Sequence, residues 1–199
     1  MSTLTVSRHF VEASLSGAER LGLDSRALLQ EAGISPDLLR IEMARVSSDQ
    51  FSKLMQVIWQ RTGDEFMGMG PRRARSGTFA TMCALVVGCQ TLEEVYQQAF
   101  RFSRLFEPMV SMELEIFGDR ARLVTRIEGS IHDPDYFLRE SILVIWHRLG
   151  SWLIGQPVEL EKAEFDYPRP DHGDEYRHIF HCPLAFESDC TALTFSKRF

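Results

Sequence analysis

The apolar residues of this chain change their repeat near residue 110, and that change restricts the fold more than any other feature. Before it, apolar residues recur every three or four positions, as on one face of a helix. From Val110 to Ile116 they alternate strictly with polar residues, which is typical of a half-buried strand. Gly118-Asp119 is a two-residue turn signal, and Arg120–Ile127 continues as the partner strand. A hairpin placed among helices predicts an α+β fold.

The first half of the chain predicts a series of helices, of which those in the first 45 residues are short. Asp24 is placed to cap one of them, and Pro36 to open the next. Ser47 and Gln50 have the spacing of a capping box at the start of a clearer helix. The apolar face of that helix is predicted to contain Phe51, Leu54, Met55 and Ile58.

Two further helices precede the hairpin. The first begins at Thr78, and its predicted apolar face holds Phe79, Met82, Cys83 and Val86. The second begins at a capping box, Thr91-Leu92-Glu93-Glu94, and is predicted to end at Pro108. Its predicted apolar face consists of Leu92, Val95, Tyr96, Ala99, Phe102 and Phe106.

The longest predicted helix opens at Asp133-Pro134 and ends near Gly155. Gly150 interrupts its pattern and predicts close packing or a slight bend there. The predicted apolar stripe is Leu138, Ile142, Ile145, Leu149 and Trp152, and the predicted polar side holds Glu140, His147 and Ser151.

The rest of the chain alternates short strands with one short helix. The pattern predicts a strand from Val158 to about Tyr167, a helix from Asp171 to Phe180, and strands near Leu184–Glu187 and Thr191–Phe195. With the hairpin, these strands predict a small, mainly antiparallel sheet packed against the long helix, behind a helix-rich first half.

Charge and composition exclude several classes of protein. The 199 residues carry 22 Lys and Arg against 28 Asp and Glu, a net charge of −6 that disfavours binding to nucleic acid. The hydrophobic content of 44% excludes a mostly disordered chain. We find neither a secretory signal nor a membrane-spanning stretch, and the four cysteines lack a CxxC spacing, so a cytoplasmic protein with reduced thiols is predicted.

No residue pattern predicts catalysis or a metal site. Nucleophilic catalysis requires an activated Ser or Cys beside a base, and the sequence has no GxSxG elbow. The most metal-like group is His172, His178, His181 and Cys182, whose spacing also fits a short helix that turns into a strand at Pro183. We therefore predict no enzyme activity, no bound metal and no cofactor.

Aromatic residues are the remaining signal for a site. We predict a ligand site at Phe79, Met82, Tyr96, Phe102 and Trp146, which form an apolar wall with one hydroxyl and one indole N–H to orient a ligand. The alternative is that all five residues simply fill the core.

Ten short stretches, spread over nearly the whole chain, keep a recognisable order. They are Arg45-Val46-Ser47, Thr62-Gly63-Asp64, Gly77, Thr91-Leu92-Glu93-Glu94, Tyr96, Phe102-Ser103-Arg104-Leu105, Phe165-Asp166-Tyr167-Pro168-Arg169-Pro170, Tyr176-Arg177-His178-Ile179-Phe180, Cys182-Pro183-Leu184 and Phe186-Glu187. This order resembles the N-terminal effector domain, of the arabinose-binding type, of AraC-type bacterial transcription regulators, in the branch that includes regulators of ornithine use.

The resemblance implies a regulatory domain that spans residues 1–199, with residues 1–45 as its helical N-terminal part. It implies a small-molecule effector, a homodimer, and contact with DNA only through a C-terminal helix-turn-helix domain that these residues lack. The abrupt end at Phe199 fits a fragment of a longer chain. The alternatives are a haem- or gas-binding sensor, a lipid-binding sensor and, less well supported, a small enzyme.

Overall fold

The chain has the predicted α+β fold. We describe it from a computed structural model, which covers residues 5–106, 109–127 and 129–199. The helices within these ranges are α1 (Arg8–Arg20), α2 (Ser25–Glu31), α3 (Ser48–Thr62), α4 (Thr78–Val86), α5 (Leu92–Ser103), α6 (Phe137–Leu153) and α7 (Glu175–Phe180). The strands are β1 (Thr5–Ser7), β2 (Arg45–Ser47), β3 (Val110–Phe117), β4 (Arg120–Ile127), β5 (Leu160–Glu164), β6 (Leu184–Ala185) and β7 (Thr191–Ser196).

The larger sheet is mainly antiparallel, as predicted. Its strand order is β3-β4-β7-β5-β6, and only the β5–β6 pair is parallel. The predicted hairpin is confirmed: Val110 pairs with Ile127 and Phe117 with Arg120, on either side of the Gly118-Asp119 turn. Gly118 has a φ of 61°, a left-handed conformation that glycine adopts without a steric cost.

The chain divides into two compact units. The N-terminal unit contains the residues up to Phe79 together with Ser130–Leu138. Its core includes Leu15, Leu29, Leu54 and Ile58 from helices α1 to α3. The prediction of short helices for its first 45 residues missed β1, which pairs with β2 about 40 positions later in the sequence.

The C-terminal unit contains Ala80–Gly129 and Arg139–Phe199, and it includes the larger sheet. Helix α5 packs on that sheet, because the ring of Tyr96 lies 6.5 Å from the ring of Phe195 in β7. The largest fully buried side chains of this unit include Tyr96, Tyr176, Phe165, Leu123, Leu143 and Leu193.

The capping signals predict helix starts well. Ser47 and Gln50 form both hydrogen bonds of the predicted capping box. At α5, the Thr91 hydroxyl accepts the N–H of Glu94 at 3.2 Å, but the Glu94 carboxylate accepts the N–H of Gln90 rather than that of Thr91. The predicted end at Pro108 lies outside the described residues.

Some element bounds differ from the predictions. Helix α6 begins at Phe137, three residues after the predicted start, because Tyr136 has a φ of 60° that interrupts a right-handed helix. Asp133 still caps this end, since its carboxylate accepts the N–H of Leu138 at 2.9 Å. Strand β5 is shorter than predicted, and its register with β7 shifts between Leu160 and Lys162.

The predicted apolar faces of α5 and α6 are partly wrong. Ile145 is 40% exposed and Trp152 is 70% exposed, whereas Leu143, outside the predicted stripe, is fully buried. Phe106 is exposed because α5 tightens into a 3₁₀ turn after Ser103, and three residues per turn rotates the side chains that follow.

Candidate functional site

Two of the five predicted site residues lie in direct contact. The ring of Tyr96 in α5 lies 6.1 Å from the ring of Trp146 in α6, and Phe100 lies within 6 Å of both. The Tyr96 hydroxyl donates a hydrogen bond to the Trp146 carbonyl oxygen at 3.4 Å. The structure therefore joins the hydroxyl and the indole of the predicted site into one aromatic cluster.

Tyr96 is enclosed in this cluster. It is 1% exposed, and burial raises the pKa of its hydroxyl far above the usual value. A Cβ atom added at Gly150 would lie 2.5 Å from the Tyr96 hydroxyl oxygen. The close packing predicted at Gly150 is thus confirmed, and its cause is the tyrosine beneath it.

The other three predicted residues lie elsewhere. Met82 is buried on α4, and Phe102 is half-buried with its ring 5.1 Å from that of Phe106. Phe79 is 40% exposed and belongs to the N-terminal unit, so its predicted place on a buried face of α4 is wrong. The carboxylate of Glu65 anchors this end of α4 by accepting the N–H of Phe79 at 2.9 Å.

A buried polar cluster in the C-terminal unit was missed by the sequence prediction. Glu140, predicted on the polar side of α6, is 3% exposed. One of its carboxylate oxygens accepts hydrogen bonds from the Tyr176 hydroxyl and from Nε2 of His172, the latter at 2.9 Å. The Tyr167 hydroxyl lies 3.1 Å from that of Tyr176 and completes the cluster.

The surroundings of Tyr176 in this cluster keep its hydroxyl protonated. Burial and the negative charge of Glu140 raise the pKa of Tyr176 well above its usual range, so the phenol remains a donor to the carboxylate. The arrangement ties α6 to the segment that contains α7. The spacing of four residues between His172 and Tyr176 is a sequence signal for this cluster, but nothing in the sequence marks Glu140 as their partner.

His147, predicted on the polar side of α6, is not fully exposed to solvent. Its side chain is half-buried, and Nε2 donates a hydrogen bond to the Val158 carbonyl oxygen at 2.6 Å. Burial lowers the pKa of His147, and nearby Arg148 adds to that effect, although the bond to Val158 opposes it.

The described residues of each unit line an open cavity. We name the cavity of the N-terminal unit, about 580 Å³, the acidic cavity. It is lined by Glu12, Leu15, Ser16, Glu19, Arg20, Ser25, Leu39, His132, Pro134 and Asp135. We name the cavity of the C-terminal unit, about 300 Å³, the arginine cavity. It is lined by Arg169, Arg177, Cys182, Pro183, Leu184 and Phe186. Neither lining includes a residue of the predicted aromatic site.

Most charged groups of the acidic cavity have partners within the N-terminal unit. The Arg20 guanidinium donates to the carbonyl oxygens of Gly68 and Gly70, the latter at 2.8 Å. Glu12 pairs with Arg8 at 3.5 Å, and Glu19 accepts the hydroxyl of Ser25. These bonds fix the side chains that form the wall of the cavity.

The described residues contain no group of three or more His, Cys, Asp and Glu side chains placed to hold a metal ion. Within the same residues, no helix has both the length and the apolar character needed to cross a bilayer. All four cysteines are free thiols.

Comparison with known proteins agrees with the resemblance in the sequence. A family model, described as the arabinose-binding domain of AraC transcription regulators at their N-terminus, matches residues 22–199. The ornithine utilization regulator of Pseudomonas aeruginosa is 22% identical over 179 residues. The alignment covers 89% of this chain and 53% of that relative, so the chain spans about half the relative's length.

Proposed function

Because the chain belongs to the family of N-terminal arabinose-binding domains of AraC transcription regulators, we propose that it senses a small metabolite and controls an attached DNA-binding domain. The match over residues 22–199 is the observation that carries this proposal. The proposed domain is the whole of residues 1–199, acting as a homodimer in the cytoplasm and without catalysis.

The mechanism is a shift between two conformations of the sensing domain. A metabolite changes the balance only by as much as its affinity differs between the two states. The state that it favours then alters the orientation or dimerisation of the DNA-binding domain. Contact with DNA belongs to that attached domain, since this chain carries a net charge of −6.

We place the effector at Tyr96 and Trp146, with Met82 and Phe102 of the same unit as further candidate contacts; Phe79 belongs to the N-terminal unit and is left out. The contact between Tyr96 and Trp146 supports this placement, because it combines a phenol hydroxyl and an indole N–H with a large apolar surface. Binding there requires the cluster to open, since Tyr96 is buried in the state described.

A thermal-shift screen tests the proposed function. The panel contains amino acids including ornithine, after the name of the relative, together with sugars and fatty acids. A ligand at 100 times its Kd stabilises the native state by about 2.7 kcal/mol, so an effector raises the melting temperature in a concentration-dependent way. A panel that leaves the melting temperature unchanged at every concentration would count against metabolite sensing.

Substitution of Tyr96 separates an effector site from a core position. Tyr96→Phe removes one hydroxyl and its hydrogen bond, at a cost of about 1 kcal/mol in stability. At an effector site it also weakens binding of the metabolite found in the screen, measured by calorimetric titration of the folded protein. Unchanged affinity in Tyr96→Phe and in Met82→Ala would place the effector elsewhere.

A further inference from the structure

We propose that the arginine cavity of the C-terminal unit binds a small monocarboxylate with an apolar body. Its two charged lining residues, Arg169 and Arg177, are both cations, and the remainder of the lining is a thiol and three apolar side chains. Guanidinium groups match the planar geometry of a carboxylate and bind it through paired hydrogen bonds. This site is separate from the aromatic residues where we place the effector.

Arg169 is held in place at the cavity. Its Nη2 donates to the Asp174 carboxylate at 2.7 Å. A Cβ atom added at buried Gly173 would lie 2.9 Å from Cγ and 3.1 Å from Nε of Arg169, so the arginine lies directly on the glycine backbone. One ion pair uses only part of the five-donor guanidinium, which leaves N–H groups for a ligand.

Arg177 supplies a positive charge that the protein itself does not neutralise. It is exposed on α7, and no described side chain or carbonyl forms a hydrogen bond or ion pair with its guanidinium. Residues 159–190 contain nine acidic and three basic residues, so a free arginine at this cavity is unusual in its surroundings. An anionic ligand would provide its partner.

The rest of the lining favours an apolar body on that ligand. Burial raises the pKa of the Cys182 thiol to about 11, which keeps it uncharged at neutral pH. Pro183, Leu184 and Phe186 provide apolar surface. The volume of about 300 Å³ lies at the lower end of small-molecule sites.

The charge near the arginine cavity favours a ligand with one negative charge over a ligand with two. Asp174, which pairs with the lining residue Arg169, repels an incoming anion, and the repulsion grows with the charge of the ligand. A carboxylate carries one charge, whereas inorganic phosphate at neutral pH carries between one and two. The cavity is therefore better suited to a carboxylate.

A ligand in this cavity also contacts the buried aromatic core. The ring of Phe186 stacks on that of Phe165 at 5.1 Å and lies 5.7 Å from that of Tyr176. Tyr176 donates to Glu140 in α6, so Phe186 links the cavity wall to the buried polar cluster. Occupation of the cavity can thus influence α6.

Hexanoate is the probe for the test, with hexanamide as its uncharged counterpart and inorganic phosphate as the second anion. Calorimetric titration of the chain should show binding of hexanoate, weaker binding of phosphate and none of hexanamide. Arg177→Gln should weaken hexanoate binding by about tenfold or more, the loss expected for one charged hydrogen-bonding partner. Arg177→Lys should retain part of the affinity, and Arg101→Gln, at an exposed arginine on α5, should retain all of it.

Alkylation of Cys182 by iodoacetamide at pH 9 locates the bound probe. Saturating hexanoate should lower the alkylation rate of Cys182 in proportion to the fraction of cavities that it occupies. The alkylation rate of Cys83 on α4 should stay the same. No binding of hexanoate, equal binding of hexanamide, unaltered affinity in Arg177→Gln, or unprotected Cys182 would each overturn the proposal. None of these results involves DNA or the Tyr96 site, so each is distinct from a failure of the proposed function.

Discussion

Gly17 in α1 lies against the backbone of Met67 and against both the backbone and the side chain of Met69. A Cβ atom added there would be 2.3 Å from the carbonyl oxygen of Met67 and 2.8 Å from Met69. Gly68 faces it, since a Cβ atom at Gly68 would lie 2.6 Å from the Gly17 carbonyl oxygen. Two opposed glycines therefore allow α1 and the segment after α3 to approach within backbone contact.

Gly17→Ala is expected to destabilise the chain by about 1–3 kcal/mol, because the backbone of Met67 and Met69 must move to admit a methyl group. Denaturation in urea measures the change in the free energy of unfolding. Gly88→Ala is the matched control: nothing lies within 4 Å of its added Cβ, so its effect should stay within about 1 kcal/mol. Equal effects of the two substitutions would contradict the packing described for Gly17.

The burial of two carboxylates, those of Asp64 and Glu140, could not be predicted from the sequence. Asp64 is 1% exposed, and its carboxylate accepts the backbone N–H groups of Phe66, Gly68 and Ala74. Glu140 is buried with its own partners, as described above. An apolar repeat identifies core positions only by apolar side chains, so a carboxylate that is buried with hydrogen-bond partners inside the protein is assigned to the surface.

Within α6, two isoleucines of one predicted stripe have different surroundings. Ile142 is 7% exposed and Ile145 is 40% exposed. Ile142→Ala is expected to cost about 2–5 kcal/mol, through lost burial and the cavity left behind. Ile145→Ala should cost about 1 kcal/mol or less, since its side chain already contacts solvent. Urea denaturation of both variants measures the difference in the free energy of unfolding. Equal losses of stability would show that α6 is rotated about its axis relative to the structure described.

At the scale of elements, local signals were predictable and long-range ones were not. The capping box at Ser47 and the Gly118-Asp119 hairpin depend on residues close in sequence, and both are confirmed. The pairing of β1 with β2 joins segments about 40 residues apart, and no turn signal links them. The aromatic residues are similar: sequence identifies Tyr96 and Trp146 as notable, but only packing shows that they touch.

For the molecule as a whole, charge predicts behaviour toward DNA. The chain has a net charge of −6 and a pI near 5.5, so its overall charge opposes the approach of the DNA phosphates. A gel-shift experiment at ~0.15 M salt should show no sequence-dependent complex with this chain alone. A specific complex at submicromolar protein would contradict the proposal that DNA recognition resides in an attached domain.

The central claim is that metabolite binding to this chain controls an attached DNA-binding domain. The most direct measurement is reporter transcription from a hybrid in which this chain replaces the matching half of the Pseudomonas aeruginosa ornithine utilization regulator. The account predicts that a metabolite identified by thermal shift changes reporter output, and that a variant unable to bind the metabolite abolishes the change. Constant reporter output while the metabolite saturates the hybrid would contradict it.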